Sequence, residues 1–111
     1  MINYFILDEH KNPIPCNFNE WCDYQHNVDI KHNKVIGSEK NKNFELNTIF
    51  FGISMDVDPS DKYNPFLFST IIVDENTKEI YKVLSNSWID AHIEHLKASD
   101  WLSTFFIKNE I

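Results

Sequence analysis

The chain contains no arginine. All ten of its basic residues are lysines, set against 17 acids, for a formal net charge of −7. Arginine is the preferred side chain for bidentate contacts to phosphate and guanine, so its absence from an acidic chain argues against ordinary nucleic-acid binding. Glycine is almost as scarce. Gly37 and Gly52 are the only two, which leaves no P-loop, no G-x-G-x-x-G and no backbone cradle for a phosphate. Two cysteines, Cys16 and Cys22, supply neither a disulfide framework nor a C-x-x-C pair, and are read as small packed side chains. No serine sits in a G-x-S-x-G setting. No apolar run approaches the roughly 18 residues a membrane span needs. The segment Met1–Glu9 has no basic region and too short an apolar stretch for a signal peptide, so the expected compartment is the cytoplasm, with no membrane contact.

What is present is apolar mass. Of 111 residues, 42% are hydrophobic and 14% aromatic, enough to build a core without staples and too much for a disordered chain. The length suits one domain spanning residues 1–111. The charge is uneven: Lys31, Lys34, Lys40 and Lys42 stand against Glu39 alone within residues 31–42. That stretch reads as a solvated, lysine-rich loop in an otherwise acidic molecule.

Local patterning predicts the elements. Ile2–Leu7 reads as a strand followed by a turn, and Pro13 and Pro15 hold the next residues extended. Asn17, with Glu20 three residues on, forms a capping-box pattern. Phe18, Trp21, Tyr24 or Gln25, and Val28 then recur at helical spacing, predicting a helix to about Asp29 with the Trp21 stripe inward. Gly37 interrupts a polar stretch in which Val35 and Ile36 suggest a short strand. Phe44–Ser54 is the strongest strand candidate, with Leu46, Thr48 and Phe50 on one face. Phe66–Val73 and Glu79–Leu84 form a hairpin around Asp74–Lys78. Ser87, with Asp90, caps a second helix whose stripe Ile89, Ile93 and Leu96 is expected to face the core, ending near Ala98–Asp100. The segment 101–111 is expected either to pack back on the sheet or to form an aromatic interface. This order predicts an α+β fold, a mostly antiparallel sheet of about four or five strands covered by two helices.

Few constellations carry chemistry. Asp56, Asp58 and Asp61 cluster in an acidic loop but lack the Gly and Glu of a calcium-binding loop, since Asp61 and Leu67 occupy those positions. No metal and no cofactor are therefore assigned, and no catalytic residue. The acids are read instead as a surface for a basic partner, together with Asp74, Glu75 and Glu79. His92 and His95 are spaced i, i+3 rather than the i, i+4 of H-E-x-x-H zinc enzymes. One is expected to pack near Trp88 and the other to be exposed. Trp101, Phe105 and Phe106 are candidate interface residues.

Four segments, taken together, resemble a widespread group of small bacteriophage and mobile-element proteins. They are Tyr4-Phe5-Ile6-Leu7-Asp8 with Pro13, Pro15 and Trp21; Asn47-Thr48-Ile49-Phe50-Phe51-Gly52-Ile53; Pro65-Phe66-Leu67-Phe68-Ser69-Thr70-Ile71-Ile72; and Tyr81 with Ser85-Asn86-Ser87-Trp88-Ile89-Asp90-Ala91-His92. The group often has a histidine shortly after the glycine-containing strand, where this chain has Ser54-Met55-Asp56. The resemblance implies a phage origin and carries no reaction. It leads to the expectation of a non-enzymatic inhibitor that occupies a basic surface of a host protein, such as a CRISPR–Cas or other anti-phage defence nuclease. Two alternatives stay open. One is a small metal-dependent hydrolase or nucleotide-degrading enzyme using His92, His95 and the acidic loop. The other is a phage housekeeping or self-assembling protein, a homodimer seamed by the aromatic tail.

Overall fold

The computed structural model describes residues 2–26, 34–54 and 65–109, with side chains as far as Thr104 in the last segment. The chain opens with an antiparallel hairpin, β1 (Asn3–Leu7) and β2 (Pro13–Cys16). Both prolines of β2 are tolerated because β2 is an edge strand, where a missing N–H costs no ladder bond. α1 (Phe18–His26) follows, and its predicted capping box is formed in both directions. The Glu20 amide donates to Asn17 Oδ1 at 2.8 Å, and the Asn17 amide to Glu20 Oε1 at 3.2 Å. Tyr24, rather than Trp21, is the buried member of its stripe. Trp21 is half-buried, donates its indole N–H to the Phe51 carbonyl at 3.1 Å, and packs with Tyr4 and an exposed Phe18. The expected continuation of α1 to Asp29 lies outside the described residues.

β3 (Val35–Lys40), β4 (Phe44–Phe50), β6 (Phe68–Asp74) and β7 (Glu79–Ser85) make a four-stranded antiparallel sheet in that spatial order. β3 extends well past the expected Val35 and Ile36. Gly37 does not break it but lies within it, beside a bulge between Val35 and Gly37. The long strand predicted over Phe44–Ser54 is split. At Gly52 (φ 69°) the chain leaves the first sheet, and β5 (Ile53–Ser54) pairs with β1 in a separate three-stranded sheet of order β2-β1-β5. Only glycine fits there: a Cβ would sit 2.5 Å from the Phe5 carbonyl oxygen, in a backbone region disfavoured for other residues. The fold is α+β as predicted, with the strands divided between two sheets.

The last element, α2 (Trp88–Asn109), crosses one face of the four-stranded sheet. Ser87 caps it, accepting from the Asp90 amide at 3.1 Å. The helix does not stop near Ala98–Asp100. No glycine or proline interrupts it there, and Leu102 is buried against Leu46 and Ile72 while Trp101 lies on Tyr81, 5.6 Å between ring centroids. The stripe expected to face the core faces solvent instead: Ile89, Ile93 and Leu96 are 70%, 44% and 53% exposed. The buried side is Ala91, His95, Ala98 and Leu102. Both stripes have i, i+4, i+7 spacing, so periodicity cannot choose between them. The small residues face the sheet because Ala91 and Ala98 let the helix backbone approach it closely. No helix of the described residues is long and apolar enough to cross a membrane.

Candidate functional site

The interior is layered along the strands. One apolar cluster holds Leu7, Tyr24, Phe50, Leu67, Phe68 and Ala91, and a second holds Leu46, Ile72, Ala98 and Leu102. Between them, strand alternation places Thr48 of β4 opposite Thr70 of β6 on the helix-facing side. α2 places His95 over both. Thr48 and Thr70 have no exposed surface, and His95 is 7% exposed.

The polar groups of this layer satisfy one another. Thr48 Oγ1 and Thr70 Oγ1 share a hydrogen bond of 2.9 Å, and Thr48 Oγ1 lies 2.8 Å from His95 Nδ1. On its other side, His95 Nε2 is 3.4 Å from Glu39 Oε2. Glu39 Oε1 accepts from the Ser99 hydroxyl at 3.2 Å. The imidazole lies directly on Gly37, where an added Cβ would stand 2.5–2.8 Å from the ring atoms. Thus β3 contributes Gly37 and Glu39, β4 and β6 a threonine each, and α2 His95 with Ser99.

Burial pushes the His95 pKa below its ordinary value of 6.5. The Glu39 carboxylate pulls it back in part, and His92 lowers it further. The Thr48 hydroxyl thus joins His95 Nδ1 to Thr70 Oγ1, with donor and acceptor at the imidazole set by its tautomer, while Nε2 faces the Glu39 carboxylate.

Carboxylate, imidazole and hydroxyl stand here in the order of a hydrolase triad. The hydroxyl, however, is sealed. A groove of about 150 Å³ lined by Glu39, Lys40, Asn41, Ser99, Leu102 and Ser103 reaches the carboxylate alone of the three. No substrate carbonyl can approach Thr48 in this arrangement, so the set positions a helix on a sheet. Sequence reading missed it. The one local signal is a threonine in the apolar alternation Leu46–Thr48–Phe50.

The predicted histidine pair is not brought together as a ligand pair. His95 is the packed one, beside Thr48 and Gly37 rather than Trp88, with both nitrogens engaged; His92 is exposed. Trp88 packs on Phe68 instead, with Lys11 Nζ 5.1 Å over its ring. Among the described residues, no group of three or more His, Cys, Asp or Glu side chains is placed to hold a metal ion. Burial, with Glu20 nearby, pushes the Cys16 thiol up, opposite to what a nucleophilic cysteine needs.

Of the predicted contact acids, Asp74, Glu75 and Glu79 share the β6–β7 hairpin. Asp74 serves the turn: its Oδ1 accepts from the amides of Asn76 and Lys78, both at 2.9 Å. Glu75 and Glu79 are exposed. Lysines intervene nearby, because a groove of about 210 Å³ lined by Lys40, Lys42, Glu45, Asp74, Glu75 and Thr77 joins this turn to the β3–β4 turn. Asp56, Asp58 and Asp61 lie outside the described residues. Trp101 is a partly exposed residue of α2, and the side chains of Phe105 and Phe106 also fall outside what is described.

Fold and site together define a two-sheet α+β domain with an enclosed polar layer. No family model, no curated protein and no solved structure matches the chain.

Proposed function

We propose that this is a non-enzymatic binding protein that occupies a basic surface of a host protein through its negative potential, and that a nucleic-acid-binding defence nuclease is the partner class. The observation that carries the reading is a division of labour. The carboxylate–imidazole–hydroxyl set seen among the described residues, Glu39, His95 and Thr48, is spent on itself around a hydroxyl with no exposure. The exposed acids Glu75 and Glu79 are left at the surface of a chain with net charge −7. An acidic body is drawn to a groove built for nucleic acid, and competition of this kind weakens steeply as salt rises. The phage-type resemblance supports the choice of partner.

The test is competition. Purified protein is titrated against DNA binding by a CRISPR–Cas nuclease, from about 50 to about 200 mM salt. Displacement of DNA at low salt is expected. It should weaken, with a flatter salt response, when Asp56, Asp58, Asp61, Glu75 and Glu79 are changed to their amides. Absence of displacement at every salt concentration removes this partner class. Turnover of a nucleotide or phosphoester, abolished by His95→Ala, overturns the non-enzymatic reading.

A further inference from the structure

α2 is apolar on two sides. Its inner side is built from small residues and His95, while three large aliphatic side chains, Ile89, Ile93 and Leu96, project outward from consecutive turns. A helix of this kind normally has both sides covered. The charges beside the outer stripe indicate what covers it. Asp90, Glu94 and Lys97 lie on one flank, since seven residues are close to two turns, and Glu94 and Lys97 are 3.4 Å apart. The opposite flank carries His92, Ser99 and Ser103, and Asp100, two turns beyond Ile93, ends the stripe itself with a carboxylate.

We propose that the occupant is a second copy of this chain, with the two α2 helices packed antiparallel about a two-fold axis at Ile93. Such an axis brings each flank against itself with the direction reversed. Asp90 and Lys97 are equidistant from a point between Ile93 and Glu94, so Asp90 of each copy falls level with Lys97 of the other. Two equivalent ion pairs form across the seam. Each lysine then lies between its own Glu94 and the partner's Asp90. The same axis sets Ile93 against itself and brings Ile89 towards Leu96 of the other copy, closing the stripe. A parallel two-fold arrangement would instead set the charged flank against the uncharged one and leave Asp90 and Lys97 with no partner across the seam. This seam uses the middle of α2, distinct from Trp101, and it leaves Glu75 and Glu79 free.

Sedimentation equilibrium of the full chain tests it. A reversible monomer–dimer equilibrium is expected. Ile93→Glu should raise the dissociation constant about tenfold or more, with far-UV circular dichroism unchanged because Ile93 lies outside the core; Ile93→Ser is the milder second variant. Asp90→Lys and Lys97→Asp should each weaken the dimer, and combining them should restore it to within about threefold. The readout is the dissociation constant, because a lysine near the start of α2 also lowers helix stability in the monomer. The proposal is overturned by a monomer at every concentration, by a dimer indifferent to both Ile93 variants, or by a charge swap that fails to restore association. A dimer lost on Trp101→Ala but kept in Ile93→Glu would move the seam to the end of the helix and overturn it as well.

Discussion

Thr48 stands between Leu46 and Phe50 on a buried strand face, where another aliphatic side chain would pack as well, and its hydroxyl is what allows His95 to be enclosed. Thr48→Val keeps the shape and leaves His95 Nδ1 with no hydrogen-bond partner, so it should cost about 1–3 kcal/mol, the usual penalty for an orphaned buried polar group. The urea midpoint should fall with its slope unchanged. His95 also makes stability depend on pH. Its folded pKa lies below 6.5 because burial outweighs Glu39 from β3, with His92 from its own helix adding to the depression. Between the folded value and 6.5 the unfolded chain therefore holds more protons than the folded one, and stability rises with pH. The contribution is complete above 6.5 and is lost as pH falls through the folded value. Urea midpoints from about pH 5 to about pH 7 should climb in the wild type and flatten in His95→Gln. An equal climb in both would place the titration elsewhere.

At the scale of elements, the two hairpin turns Asp8–Asn12 and Asp74–Lys78 are one solution used twice. In each, the first aspartate's Oδ1 accepts from the amides two and four residues on, at 2.8–2.9 Å, and the fourth residue, Lys11 or Thr77, has φ of 66° or 60°. In the first, the Asn12 amide is the largest of the influences holding the Asp8 carboxyl below its usual 3.8. A β-branched residue at positive φ is strained, so Thr77→Gly should stabilise the fold by up to about 1 kcal/mol. Asp74→Ala should cost about 1–2 kcal/mol. Thermal unfolding of the two variants, run together, reads both signs. These turns were legible in sequence because Asp-Glu followed by polar residues between alternating strands is a local signal, as were both helix caps. The exit at Gly52 was not legible, since it depends on the Phe5 carbonyl, 47 positions earlier in the chain. The inner side of α2 was not legible either. Two stripes fit the helical period, and the one with the smaller side chains won because close approach to the sheet outweighs the burial of Ile89, Ile93 and Leu96. The polar layer joins residues from four elements, Thr48 and His95 being 47 apart in sequence, and nothing local encodes that meeting.

For the molecule as a whole, the consequence of that layer is a core in two parts. The part containing Phe50, Phe68 and Ala91 is closed by β1 and α1, through Leu7 and Tyr24. The part containing Leu46, Ile72, Ala98 and Leu102 is smaller and lies towards the hairpin tips and the end of α2, and among the described residues it takes no member from the three-stranded sheet. The layer's hydrogen bonds run among Thr48, Thr70, His95 and Glu39 and tie neither apolar part to the other. The smaller part should therefore open by itself, exchanging the amides of Leu46, Ile72 and Ala98 while the larger part stays folded. A substitution in the larger part separates this from unfolding in one step. Phe68→Leu should weaken that part by about 1 kcal/mol. The native state and the half-open state both contain it, so exchange at Leu46, Ile72 and Ala98 should not change. Exchange at Phe50 and Phe68, which needs global unfolding, should quicken by the full amount, about fivefold at 25 °C. If the variant quickens both sets equally, the polar layer couples the two parts, and the domain unfolds as one cooperative unit.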